Sequence, residues 1–96
     1  MGDKNNQDPV QTYVVYVLGC NGADGMRTYV GCTTDLERRL AEHNAGTGAR
    51  STRGRQWRIL YSERAEDRSG AQAREWTLKK NRSFRKMLTI HIPGIE

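Results

Sequence analysis

The 96-residue chain has no apolar run that approaches the roughly 18 residues needed to cross a membrane. Its first ten residues are polar and lack the apolar stretch of a secretory signal peptide. Two cysteines are too few for a disulfide framework, and no group of Cys and His has the spacing of a zinc site. These absences argue against membrane, secreted and zinc-binding classes. We expect a cytoplasmic, nucleoid-associated protein, or a nuclear one if the source is eukaryotic.

The size and composition of the chain bound its organisation. Ninety-six residues with a hydrophobic share of 35% suffice for one small domain with one compact core. We expect a flexible N-terminus over residues 1–11, a single domain over 12–90 and a C-terminal tail over 91–96. The sequence contains no internal repeat.

Acidic residues are missing from two stretches, 43–62 and 79–86, although the chain has 11 acids against 16 Lys and Arg. Two basic blocks on a small domain favour a polyanionic partner, most simply nucleic acid. An incidentally basic, solvated surface is the alternative if charge alone is considered. The residues that we expect to contact a nucleic-acid backbone are Arg50, Arg53, Arg55, Lys79 and Lys80.

Runs rich in β-branched and aromatic residues predict strands over 12–18, 27–31 and 57–61, the first of them buried on both faces. A turn cluster with two glycines at 21–25 predicts a hairpin with a longer loop between the first two strands. Cys20 and Cys32 would then lie toward opposite ends of the hairpin and remain reduced.

Two capping-box sequences predict helix starts. Thr34 begins the first, whose helix should run to about Asn44 and stop at Gly46. Ser69 begins the second, whose helix should run to about Lys80, and a short third helix is expected over 83–90. We therefore predict an α/β (α+β) fold: a small, three-stranded, mostly antiparallel sheet with flanking helices, in the order β-β-α-β-α-α.

Helical periodicity places Arg39 and His43 one turn apart, at the margin of the apolar stripe of the first helix. An arginine held there could present its planar fork to a phosphate and offset charge that develops in a transition state. The ordinary alternatives are an arginine that covers the core with its aliphatic stem and a boundary histidine with satisfied ring nitrogens.

Glu75 shares the apolar face of the second helix with Ala71 and Leu78. A buried carboxylate is costly unless it is paired or binds a metal. Mg²⁺ suits a lone carboxylate because it usually takes one or two protein oxygens together with water and substrate phosphate. A structural ion pair between Glu75 and an arginine such as Arg39 is the alternative.

Tyr16 and Tyr29 lie on the two strands of the predicted hairpin, and Gly31 shares a strand face with Tyr29. A glycine within a strand often marks close approach by a ligand or by another backbone. A tyrosine hydroxyl, with an ordinary pKa of about 10, needs a nearby cation or metal-bound water to act as a general base. Core tyrosines of a β-hairpin are the alternative for either residue alone.

The order and spacing of five short features resemble the GIY-YIG nuclease superfamily over about residues 12–82. The likeness extends to its small stand-alone members and to its structure-specific, junction-resolving branch. By this resemblance Arg39 contacts the scissile phosphate and Glu75 holds a single Mg²⁺ or Mn²⁺ ion. His43 supports the site, and either Tyr16 or Tyr29 helps to activate the attacking water. The five features are Val14-Val15-Tyr16, Tyr29-Val30-Gly31, Arg39, His43 and Glu75.

The chain departs from the family pattern where Val14-Val15 replaces Gly-Ile, where Val30 replaces Ile, and where Cys32 replaces the lysine of excision-repair relatives. The resemblance implies an endonuclease of repair or recombination type that hydrolyses DNA, with RNA as an open alternative. Because phosphate contacts carry no sequence information, we expect weak sequence selectivity or structure selectivity, and a protein partner could supply targeting. The rival readings are a catalytically inactive nucleic-acid-binding module, a subunit that needs a partner for cleavage, and a small interaction domain.

Overall fold

The computed structural model describes residues 12–22 and 25–90. The predicted flexible N-terminus at 1–11 and tail at 91–96 lie outside the described residues, as do positions 23–24 of the predicted turn. The described part contains three strands and three helices in the order β-β-α-β-α-α, which confirms the predicted α+β fold. A 3₁₀ turn at Arg50–Thr52 precedes the last strand. The elements are β1 (Tyr13–Gly22), β2 (Gly25–Thr33), α1 (Leu36–Ala45), β3 (Arg58–Ala65), α2 (Arg68–Lys80) and α3 (Arg82–Ile90).

The sheet has the strand order β2-β1-β3, and β1 pairs antiparallel with both neighbours. Tyr16 on β1 lies opposite Gly31 on β2 and Ser62 on β3. The residues from Val15 to Cys20 are all buried, because helices or loops cover both faces of the central strand. The prediction that the first strand is buried on both faces is therefore confirmed.

Side chains of β1 alternate between two different environments, as the twofold period of a strand requires. Val15 and Val17 face α2 and α3 and pack in one cluster with Ala71 and Leu78. We call this side of the sheet the α2 face. Tyr16, Leu18, Cys20 and Trp57 form the second cluster, against which Leu36 and Leu40 of α1 pack, and we call this side the α1 face.

Aspartates cap both longer helices, one residue or more from the positions predicted. Asp35 caps α1 by accepting a hydrogen bond of 3.1 Å from the backbone N–H three residues on, so the prediction that Thr34 is the cap is wrong. Asp67 caps α2 with a 2.7 Å bond, so the predicted start at Ser69 is wrong as well. A carboxylate next to a helix N-terminus both satisfies an orphan amide and meets the positive end of the helix dipole, which favours these caps.

The helix end at Gly46 is confirmed, since this residue forms the C-cap of α1 with φ of 85°, a conformation that favours glycine. The hairpin differs from its prediction: β1 and β2 pair as far as Gly22 and Gly25, so only two residues separate them and the longer loop is wrong. β3 continues to Ala65, beyond the predicted 57–61: its later residues alternate exposed and half-buried side chains and pair with β1.

The two cysteines occupy opposite ends of the hairpin as predicted. Cys20 lies opposite Arg27 near the turn, and Cys32 lies opposite Val15 at the open end. Both thiols are free. Among the helices that the structure describes, none is both long and apolar enough to span a bilayer.

Candidate active site

A buried hydrogen-bond chain links β1, α1 and the 3₁₀ turn. The Tyr16 hydroxyl lies 3.0 Å from Nε2 of His43, and these side chains are 1% and 0% exposed. On the other side of the imidazole, Nδ1 lies 2.8 Å from Oγ1 of Thr52. The Thr52 hydroxyl in turn donates to the carbonyl of Ala49 over 2.7 Å. Three fully buried polar side chains are thus joined in one line.

The direction of these hydrogen bonds determines the tautomer of His43. A hydroxyl has one proton, and that of Thr52 goes to the Ala49 carbonyl, so Thr52 must accept from Nδ1–H. A neutral imidazole that is protonated at Nδ1 has its lone pair at Nε2. Nε2 therefore accepts the hydrogen bond that the Tyr16 hydroxyl donates.

Burial sets the protonation of this chain. Burial, and then the nearby Tyr29, raise the pKa of Tyr16 to about 12, although Arg39 opposes the shift. Burial, followed by the positive charge of Arg39, lowers the pKa of His43 below its usual 6.5. At neutral pH Tyr16 is accordingly a phenol and His43 a neutral base. In these two protonation states the tyrosine can donate a proton to the histidine.

Arg39 lies at the partly open margin of this chain, with a side chain that is 33% exposed. Its Nη1 donates to a carboxylate oxygen of Glu42 over 2.8 Å, and this bond raises the pKa of Arg39. The guanidinium also interacts with the Tyr16 hydroxyl. The predicted position at the edge of the apolar stripe is what the structure shows, whereas Arg38 is 69% exposed.

Gly31 is adjacent to both tyrosines. A Cβ at this position would lie 2.6 Å from the Tyr16 hydroxyl oxygen and 3.1 Å from Cε2 of Tyr29. The close approach at this glycine is therefore made by side chains, Tyr16 from across the hairpin and Tyr29 from the same strand, and not by another backbone. The Tyr29 ring lies 4.8 Å from the His43 ring between centroids, so the two tyrosines and the histidine form one aromatic group.

Glu75 is half-buried on α2, with 22% of its side chain exposed. Its Oε2 lies 2.8 Å from Nζ of Lys79 one turn further on, and this contact raises the pKa of Lys79. The nearby Tyr29 adds a smaller contribution to the raised pKa of Lys79. Burial and then hydrogen bonding to Glu75 raise the pKa of Cys32 on β2. The structure therefore pairs Glu75 with Lys79 and Arg39 with Glu42, in place of the Glu75–Arg39 pair weighed above.

Glu75 is the residue that could hold a metal ion. Within residues 12–22 and 25–90, no three side chains of His, Cys, Asp and Glu converge as a ready metal cage. A single half-buried carboxylate fits a hard ion that keeps most of its water, as Mg²⁺ does. The ammonium against Oε2 shows that a cation is accommodated beside this carboxylate.

The five predicted backbone-contacting residues fall in two places. Arg53 and Arg55 line a cavity of about 520 Å³ at the turn end of the hairpin, and Arg50 starts the 3₁₀ turn that precedes it. Lys79 and Lys80 lie at the end of α2, where Lys80 Nζ is 5.1 Å from the centroid of the Trp76 ring. That indole is 62% exposed, next to Glu75 in sequence.

Three residues of the site were missed from the sequence. Thr52 holds His43, and its position in a basic loop gave no signal of this. A Cβ at Gly48 would lie 2.6 Å from Nδ1 of the same histidine, so the loop backbone packs against the ring. The amide of Asn44 bonds both the N–H and the carbonyl of Trp57, whose indole donates to the Thr52 carbonyl over 2.9 Å. An Asn directly after the histidine was the available signal.

Residues 12–87 match the family model of the GIY-YIG catalytic domain. The chain belongs to the GIY-YIG family. GIY-YIG domains are typically nuclease domains, and the match includes every catalytic residue predicted above.

Other members of the GIY-YIG family resemble this chain over most of its length. A UPF0213 protein of Natronomonas pharaonis is 47% identical over 68 residues, which cover 70% of this chain and 76% of the relative. A UPF0213 protein of Lacticaseibacillus paracasei is 43% identical over 87 residues, covering 90% and 94%. The solution NMR structure of a UPF0213 protein from Bacillus halodurans is 30% identical, with a TM-score of 0.46 and coverage of 86% and 88%.

Proposed function

We propose that this GIY-YIG protein is a divalent-metal-dependent endonuclease that hydrolyses DNA phosphodiester bonds, with weak sequence selectivity or selectivity for DNA structure. The observation that carries the proposal is the buried chain from Tyr16 through His43 to Thr52. It joins a hydroxyl that can take a proton from water to a neutral base that can receive one. Family membership supplies the reaction class.

Tyr16 is the tyrosine that we assign as general base. With a pKa of about 12 it cannot ionise by itself at neutral pH, but its hydroxyl proton already points at Nε2 of His43. As the attacking water gives a proton to the tyrosine oxygen, the tyrosine gives its own proton to His43. Thr52 holds Nδ1–H throughout, so the imidazolium forms without reorientation. Tyr29 packs on the imidazole and positions it.

Arg39 is the phosphate-binding residue in this proposal. The guanidinium lies beside the Tyr16 hydroxyl and is one-third exposed, so a phosphate oxygen can reach it next to the base. A charge-assisted bond from arginine strengthens as negative charge builds on the phosphoryl oxygens. Its bond to Glu42 uses Nη1 and holds the side chain in place.

Glu75 would hold the single Mg²⁺ or Mn²⁺ ion, which supplies Lewis-acid stabilisation of the phosphate when bound. Lys79 shares the carboxylate and lies near Tyr29, so it is positioned to contact a phosphate adjoining the cleaved bond. Arg50, Arg53 and Arg55 would contact the backbone beyond the hairpin turn.

The test is cleavage of labelled duplex, single-stranded, flap and branched DNA with Mg²⁺, Mn²⁺ or EDTA, with RNA of the same forms in parallel. Arg39→Ala should lower metal-dependent cutting by about 10²–10³-fold, because it removes a charge that stabilises the transition state. Glu75→Ala should abolish it. Arg38→Ala is the matched control, since it removes the same charge one residue away at a 69% exposed position. Full activity in Arg39→Ala or Glu75→Ala would contradict the role assigned to that residue.

A second candidate function is a nucleic-acid-binding module that does not cut by itself. The Glu75–Lys79 ion pair favours it, because an ammonium already neutralises the carboxylate that would hold the metal. This candidate gives salt-sensitive DNA binding without metal-dependent cleavage, either permanently or until a protein partner is added. Lys79→Ala separates the two: if the ammonium blocks the metal, this variant gains cleavage that the natural chain lacks.

A further inference from the structure

A second concave surface lies on the α2 face, between the edge strand β2 and α3. It is a groove of about 400 Å³, separate from the cavity at the hairpin turn. Three cations and two hydroxyls dominate its lining. The lining residues are Met26, Thr28, Arg82, Arg85, Lys86 and Thr89. We call it the β2–α3 groove.

Within residues 12–22 and 25–90, no carboxylate forms an ion pair with a cation of this groove. The ion pairs of this region lie elsewhere, such as Arg74 with Glu63 and Lys79 with Glu75. Arg85 is held in place, because its Nη1 donates to the Lys79 carbonyl over 2.7 Å. Its buried Nε has no hydrogen-bond partner among the described residues. Neighbouring like charges raise each other's energy, so an external anion would stabilise this surface.

The groove lies on the same face of β2 as Cys32, which contacts the candidate metal carboxylate, and the buried Val30 stands between them. On β2, alternate residues face α2 and α3: Cys32 lies against Glu75, and Thr28 and Met26 line the groove. A strand rises about 3.4 Å per residue, so Thr28 and Met26 are roughly 14 and 20 Å from Cys32 along β2. Base pairs of duplex DNA advance about 3.4 Å per step along the axis, so a duplex that lies along β2 reaches the groove roughly four to six steps from Cys32.

We propose that the β2–α3 groove is a second phosphate-binding site, which holds the backbone of a duplex substrate about four to six base-pair steps from the cleaved bond. The inference rests on the proposed function, since it places the groove relative to Glu75. Arg82 and Lys86 contact phosphate oxygens there, and Arg85 contributes a positive charge that is fixed in place. The three cations of the groove match an anionic polymer that extends beyond the active site.

Binding of duplex DNA to an Arg82→Ala/Lys86→Ala variant tests this site. Both side chains are exposed and Arg85 is left in place, so the helices should remain intact. Anisotropy is measured over a salt series with two labelled duplexes, one spanning only the catalytic centre and one extended by about six steps on each side. The variant should bind the extended duplex about 10-fold more weakly, with a salt slope smaller by about 2. Binding of the short duplex should not change.

The matched control is Arg58→Ala/Arg64→Ala, which removes two exposed charges from β3 at the opposite edge of the sheet. Equal losses of affinity for the extended duplex in both double variants would show that only net charge matters, and would overturn the proposed phosphate site. Arg82→Lys/Lys86→Arg should retain binding, which separates a lost charge from a lost fold. Polyglutamate that binds as tightly as the extended duplex, and that depends on the same two residues, would overturn the assignment to nucleic acid.

Cleavage separates this proposal from the nuclease proposal. If the natural chain cuts, Arg82→Ala/Lys86→Ala should raise KM on the extended duplex about 10-fold and leave kcat on the short duplex unchanged. An unchanged KM on the extended duplex overturns the groove but leaves the nuclease standing. If the natural chain does not cut, yet extended-duplex binding depends on Arg82 and Lys86, the nuclease fails and the groove stands.

Discussion

On the α2 face, β1 contributes Val15 and Val17 to an apolar cluster with Ala71 and Leu78. On the α1 face the same strand contributes Tyr16, whose hydroxyl ends a buried hydrogen-bond chain. Apolar burial stabilises in proportion to the area removed from water, and it tolerates small changes of geometry. A buried polar group is costly unless its partner is in place. The apolar cluster of the α2 face is therefore suited to hold the fold together, and the hydrogen-bond chain of the α1 face to hold Tyr16 and His43 at fixed distances.

The first prediction compares two neighbours on β1. Tyr16→Phe should lower cleavage by roughly 10²–10⁴-fold, because the proton relay to His43 is lost. Its cost in stability should be about 1–3 kcal/mol, from the acceptor left unpaired at Nε2. Val17→Ala should cost about 2 kcal/mol through the cavity it leaves, with normal cleavage by the folded fraction. Cleavage rates and denaturant unfolding of both variants are the measurements. Equal activity losses in the two variants would break the division between the faces.

The second prediction compares two glycines of the sheet. In Gly31→Ala the new Cβ would meet the Tyr16 hydroxyl at 2.6 Å, and that ring is rigid and bonded to His43. In Gly19→Ala the new Cβ would meet Cδ1 of Leu60 at 2.5 Å, on a flexible side chain that is only half-buried. Overpacking costs about 1–3 kcal/mol where the neighbour cannot move. Gly31→Ala should lose both stability and cleavage, whereas Gly19→Ala should lose little of either. Cleavage by Gly31→Ala at the natural rate would contradict the position assigned to the Tyr16 hydroxyl.

The third prediction concerns acid pH. The pKa of His43 is lowered in the folded protein, so as the pH falls the unfolded chain takes up a proton on this residue before the folded chain does. The contribution of His43 to the free energy of unfolding therefore decreases as the pH drops below 6.5. Cleavage should fall at a lower pH, through the lowered pKa of the folded His43, since a protonated imidazole cannot accept from Tyr16. On the α2 face, hydrogen bonding to Arg74 lowers the pKa of Glu63. The stability that Glu63 contributes is therefore present above pH 4.5 and is lost only below it. The α1 face should thus respond to acid first. Profiles of unfolding and of kcat/KM against pH test this order, and His43→Gln should remove the earlier step.

Periodicity and motif spacing were sufficient to predict the order of the elements and the stop at Gly46. Local patterns failed where a neighbouring residue competed for the same role. Asp35 and Asp67 cap the helices in place of the predicted residues, because each carboxylate accepts from the backbone N–H three residues on. The prediction ended β3 too early because charged residues are not typical of strands. In the structure these residues are part of β3 because they pair with β1.

The candidate site was predicted in part for a related reason. Residues on regular elements, such as Tyr16 and His43, follow from strand and helix geometry together with the family pattern. Thr52 comes from an irregular loop, and its approach to His43 depends on how Trp57 and Asn44 anchor that loop. Such contacts arise only once the tertiary packing is complete, so no pattern in the sequence predicts them. The partner of Glu75 was equally open, because helical phase allows both Lys79 and a more distant arginine.

The smallest effects should come from the two helix caps, and they again divide by face. Asp35→Ala and Asp67→Ala each remove one cap hydrogen bond, so each should cost about 1 kcal/mol of stability. Asp35 begins the helix that carries Arg39 and His43, so its loss should also lower kcat several-fold. Asp67 begins α2 eight residues before Glu75, two turns away, so its loss should leave kcat near the natural value. Thermal unfolding and single-turnover cleavage of the two variants give the comparison. A larger loss of kcat in Asp67→Ala would show that the position of Glu75 depends on the α2 N-terminus.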